Sequence, residues 1–75
     1  MRKFIVLHSI DSYDKGKPII IYIDQITAIR PYIDHDKNDQ LIEIGTSIMA
    51  GQWCWSVTES IGEVMKKVKD RTLKD

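Results

Sequence analysis

The chain has 75 residues, 11 basic and 11 acidic side chains, zero formal net charge and one cysteine. That length allows a single domain, the lone Cys54 excludes an intrachain disulfide, and the charge balance argues against the clustered basic face that nucleic acid demands. A chain this short buries only about 60 % of its unfolded surface, so self-association or a metal is the remaining staple for a marginal core.

The opening "MRKFIVLHSIDS" sets basic residues before an apolar run, as a secretory signal does. Its run "FIVL" is too short for a signal core, and no small-residue cleavage site follows. No stretch nears the roughly 20 apolar residues of a membrane span, so a soluble cytoplasmic protein is expected. "RKFIVLHSI" predicts a first strand, "DSYDKGKP" a turn, and "IIIYI", from Ile19 to a stop at Asp24, a second strand. "ITAIRPYI" is a third; Pro31 cannot donate to a ladder, so this strand lies at an edge, carries a bulge or breaks. "LIEIGTSI" and "QWCWSV" complete the set, joined by "MAG", where Gly51 can take a positive φ.

The helix is the most explicit element. Ser60 and Glu63 spell a capping box, and Ile61, Val64, Met65 and Val68 form one apolar stripe over a helix of about 59–71. Lys66, Lys67, Lys69 and Arg71 fall in its later turns, where cations suit the dipole; "TLKD" is expected to fray. The fold class is therefore α+β: one antiparallel sheet of four to five strands with a C-terminal amphipathic helix packed on it through those four apolar residues.

Trp53, Trp55 and Val57 alternate with Cys54 and Ser56, as on a sheet with one wet face. "FIVL" and "IIIYI" do not alternate; both of their faces are apolar. One short helix covers part of one face, so the surplus becomes a subunit interface or the sheet curls into a small barrel. On the first reading Trp53, Trp55, Ile20 and Tyr22 are the candidate contact residues.

Candidate chemistry is sparse. In "DHDKND", Asp34, Asp36 and Asn38 match the first three ligand positions of a calcium loop, but Asp39 stands where glycine is needed and Gly45 where a bidentate glutamate is needed. Asp and Asn favour turns, so a hairpin loop is the expectation there. His35, His8 and Cys54 lie in separate segments without HxH, CxxC or HExxH spacing, and neither metal nor cofactor is expected. A thiol enzyme would need Cys54 beside a base such as His8; Cys54 between two tryptophans reads instead as a small apolar residue. Trp53, Trp55, Tyr13, Tyr22 and Tyr32 would make a stacking platform for single strands only in a basic groove.

A first strand, a Gly-Lys turn, an apolar second strand, "DQITAI" and then "VTESIGEVMKKV" together resemble the small flagellar-associated proteins of the FlbD/SwrD type. The matching residues are Ile26 and Ile29, then Val57, Glu59, Ser60, Glu63 and Val64. The chain departs from that pattern in its longer "DHDKNDQ" loop and in "SIMAGQWCW" where those proteins have a compact hairpin. The resemblance implies a bacterial origin and a non-enzymatic role, and it supplies no catalytic residues. The expected function is a protein-interaction module that homo-oligomerises. One alternative is a nucleic-acid-binding regulator using Lys66, Lys67, Lys69 and Arg71; another is a Cys-based enzyme.

Overall fold

The computed structural model describes residues 2–73. In chain order it has β1 (Phe4–His8), β2 (Pro18–Tyr22), a 3-10 turn (Ile23–Gln25), β3 (Ile26–His35), β4 (Leu41–Ala50), β5 (Trp53–Val57) and α1 (Ile61–Leu73). The α+β class with antiparallel strands and a C-terminal helix stands. The single sheet does not: β1 and β2 form one sheet, and β3, β4 and β5 form another.

The split has a local cause. After Tyr22 the chain winds through the 3-10 turn, and Gln25 O accepts from Gly51 N at 2.9 Å. This carries β3 out of the plane of β2 and into register with β4, Ile26 opposite Ala50. Gly51 takes φ 62°, the positive value its turn requires. The two sheets meet at one corner, where Ser9 bridges Val57, Ile10 N donates to Ser56 O at 3.1 Å, and Thr58 N donates to His8 O at 2.8 Å.

The core lies between the sheets. Ile5, Leu7 and Ile21 come from the first, Ile48, Ala50 and Val57 from the second, and Val64 from the helix. Ser9 organises the β1–β2 connection: its hydroxyl donates to Asp14 Oδ1 at 2.7 Å and accepts from Asp11 N, while its carbonyl accepts from Gly16 N.

The capping box forms as the sequence predicts, with Ser60 Oγ accepting from Glu63 N and Glu63 Oε1 from Ser60 N, at 3.2 and 3.3 Å. One residue of the apolar stripe is corrected. Val64 is buried and Ile61 and Val68 are half-buried, but Met65 is 53 % exposed. Lys67 and Arg71 reach the carbonyls of Val6 and Phe4, so the face toward β1 runs through positions 64, 67, 68 and 71, and that rotation carries Met65 outward. The helix continues through Leu73, past the predicted onset of fraying; Lys74 and Asp75 lie outside the described residues.

Pro31 sits on an edge strand with register shifts between Ile26 and Ala28 and between Tyr32 and Ile33, which combines two of its expected outcomes. Past the second shift β3 and β4 extend as a hairpin, in a molecule of 46 × 23 × 20 Å, and leave Ile33, Leu41 and Ile42 exposed.

Gly45 is buried where β4 meets β5. A Cβ there would overlap the Val57 carbonyl oxygen, which belongs to backbone and cannot swing aside. Gly45→Ala is therefore expected to destabilise the fold by about 3 kcal/mol, the upper end for overpacking, read from the shift in urea midpoint.

Candidate functional site

β5 runs out of the core toward its N-terminal end. Along one face, Val57 is fully buried, Trp55 is 38 % exposed and Trp53 is 68 % exposed. Their cross-strand neighbours on β4, Ile48 and Ala50, are buried, so the tryptophans continue the inner face beyond the point where the first sheet covers it. Opposite them stands β2. Its Ile21 points into the core, while Ile20 and Tyr22 are 59 % and 41 % exposed.

All four residues that the sequence nominates as contacts, Ile20, Tyr22, Trp53 and Trp55, line one groove of about 380 Å³. Ile21 and Ala50 contribute to its lining, as do Gln25, Gly51 and Gln52. No charged side chain lines it among the described residues. Arg2 lies 4.0 Å above the Tyr22 ring, outside the groove lining, and forms a two-pronged pair with Asp24 at 3.0 and 3.2 Å. Hydrogen bonding to Arg2 holds the Asp24 carboxyl below its ordinary value. Tyr13 and Tyr32 do not join this surface: Tyr13 is exposed in the β1–β2 connection, and Tyr32 lines a separate depression with Arg30 and Pro31.

A second constellation surrounds Glu59, which is only 7 % exposed. Its Oε1 accepts from His8 N at 3.0 Å, its Oε2 lies 2.6 Å from His8 Nδ1, and Lys67 Nζ stands 3.9 Å from Oε2. The Glu59 backbone carbonyl accepts from the buried Thr46 hydroxyl at 2.7 Å. Burial alone would push this carboxyl up, but the hydrogen bonds from the His8 ring and amide outweigh it and hold the group below its ordinary value of 4.5. With the carboxyl ionised, the imidazole hydrogen must sit on Nδ1. The cluster ties β1 to the β5–α1 link and to the helix. The sequence singles out His8 and Glu59 separately, and nothing local announces that residues 51 apart meet.

The remaining candidates are dispersed. Lys67 and Arg71 face β1, with Arg71 also 5.3 Å above the Phe4 ring, whereas Lys66 and Lys69 are exposed; the four helix cations do not form one stripe. Cys54 is exposed and free on the opposite face of β5 from the tryptophans, and His8 Nδ1 is engaged by Glu59. In the "DHDKND" segment Asp34 and His35 belong to β3, a correction to the loop boundary. Asp36 Oδ1 accepts from Asn38 N and Gln40 N at 2.8 and 2.9 Å, and Asp39 takes φ 62°. These bonds account for the turn. Among the described residues, no three His, Cys, Asp or Glu side chains group as a metal site, and no helix is long and apolar enough to cross a membrane.

No protein-family model, curated protein or solved structure matches the chain.

Because the folded-state value of Glu59 is lowered, its contribution to stability is present above 4.5 and is lost as pH falls through the folded value. Glu59→Gln should lower stability at neutral pH by about 2 kcal/mol, the scale of hydrogen bonds to a charged group. It should also flatten the acid limb relative to the unsubstituted chain. Thermal melts of both proteins from neutral to acidic pH measure this difference.

Proposed function

We propose that the chain is a small, non-enzymatic interaction module that acts by homo-oligomerising through the groove of Ile20, Tyr22, Trp53 and Trp55. The observation that carries this reading is the gathering of four large, exposed apolar side chains, drawn from two sheets, into one groove lined without charge. Surfaces of that composition serve as contacts between proteins, and tryptophan and tyrosine are the side chains that dominate such contacts. The groove lacks the cations that a single-strand platform uses to hold phosphates, which favours a protein occupant. The small apolar core, seven buried side chains among the described residues, supports association as a further source of stability. A soluble cytoplasmic setting in a bacterium belongs to the same reading; a flagellar role is not part of it.

Sedimentation equilibrium with and without chelator tests the proposal. A dimer or larger assembly, unchanged by chelator, is the expected result, and a monomer across the accessible concentration range overturns it. Trp53→Ala and Trp55→Ala should each weaken association by about 2 kcal/mol, roughly 30-fold in dissociation constant. Changes at Asp34, Asp36 or Asp39 should leave association in place.

A further inference from the structure

We infer that the contact between copies is made by the outer edge of β2, paired antiparallel with β2 of a second copy about a two-fold axis at Ile20. The inference rests on the homo-oligomer reading above and supplies its geometry.

The β1–β2 ladder decides which backbone groups are available. Ser9 N donates to Lys17 O at 2.9 Å and Ile23 N to Lys3 O at 3.0 Å, so with Ile5 opposite Ile21 and Leu7 opposite Ile19 the hydrogen-bonded pairs are the odd-numbered residues. Pro18, Ile20 and Tyr22 therefore turn their backbone groups away from β1. Among the described residues, the amides of Ile20 and Tyr22 and the carbonyls of Pro18 and Ile20 have no hydrogen-bond partner.

Each of the other edges is covered or interrupted over part of its length. On β1, Arg71 and Lys67 donate to the Phe4 and Val6 carbonyls, Glu59 accepts from the His8 amide and Thr58 N donates to the His8 carbonyl. On β3, Pro31, charged Arg30 and Asp34 and two register shifts obstruct pairing. On β5, β1 occupies the C-terminal part of the outer edge. By contrast, β2 carries no charged side chain from Pro18 to Tyr22 and no register shift.

Outward donors and acceptors at two-residue spacing fit an extended backbone, and an uncharged apolar edge fits a strand of its own kind. A second β2 meets both conditions, and zero net charge leaves two copies without mutual repulsion. With Ile20 opposite Ile20, both hydrogen bonds form at the axis. At each end the Tyr22 amide meets a Pro18 carbonyl; proline lacks a donor, which closes the register at that residue. The added strand lies along the mouth of the groove, where Trp53 and Trp55 pack on it.

Ile20→Pro removes the outward donor while leaving the β1–β2 ladder its bonds. It is expected to raise the dissociation constant at least tenfold with an unchanged far-ultraviolet spectrum. In the unsubstituted chain, exchange at the Ile20 and Tyr22 amides should slow at least tenfold as concentration crosses the association midpoint. If Ile20→Pro fails to fold, that exchange measurement decides. An oligomer that Trp53→Ala dissociates, but whose Ile20 and Tyr22 amides show no concentration-dependent protection, overturns strand pairing and leaves self-association standing. A monomer overturns both.

Discussion

The buried carboxylate of Glu59 is the constraint on which the arrangement of the two sheets depends. A two-stranded sheet is marginal by itself in water, and among the described residues β1–β2 shares backbone pairing with the three-stranded sheet along a short corner at Ser9 and Val57. Glu59 reinforces that corner with both oxygens on His8, one on its amide and one on its ring, while its carbonyl accepts from Thr46 of β4. A buried charge is tolerable only when its hydrogen bonds are satisfied; here the carboxylate takes them from His8 of the first sheet, while the residue's backbone is held by Thr46 of the second. The interaction thereby specifies where the sheets cross as well as contributing stability.

From that corner the rest of the surface follows. The sheets overlap fully at Val57 and diverge along β5, so the same inner face that is core at one end becomes a groove at the other. The helix completes the core with Val64 and turns Lys67 and Arg71 onto the carbonyls of β1. Those cations act as an edge cover. Their engagement leaves β2 as the uncovered edge of the first sheet, beside the aromatic groove, and the groove and the edge thus arise from one packing solution.

Features written in neighbouring residues are legible without a structure. Ser60 and Glu63 cap each other across a single turn, Gly51 takes the positive φ of a tight connection, and the carboxylate of Asp36 closes the hairpin on its own backbone. Pro31 announces an irregular edge because its missing donor is a property of the residue itself. Ile20 and Tyr22 were legible as apolar surplus, since β2 is apolar on both faces and only one face can meet the core. Features that depend on distant partners are not legible. Met65 belongs to the stripe by spacing, yet the helix is rotated by what Lys67 and Arg71 meet on β1. The exposed Ile33, Leu41 and Ile42 follow from a register shift that strand composition does not encode.

The sequence by itself determined the class of the domain, the antiparallel strand segments, the helix and its cap, and the surplus of apolar strand residues over what a small core can take. Each of these depends on backbone preferences and side-chain spacing within a few residues. The tertiary structure alone decided that the strands divide into two sheets and that His8 meets Glu59. It also decided which strand edges are covered and that Ile20, Tyr22, Trp53 and Trp55 share one groove. Those outcomes require one buried carboxylate to find donors 51 residues away, and a contact of that range is selected by packing of the whole chain rather than by local propensity.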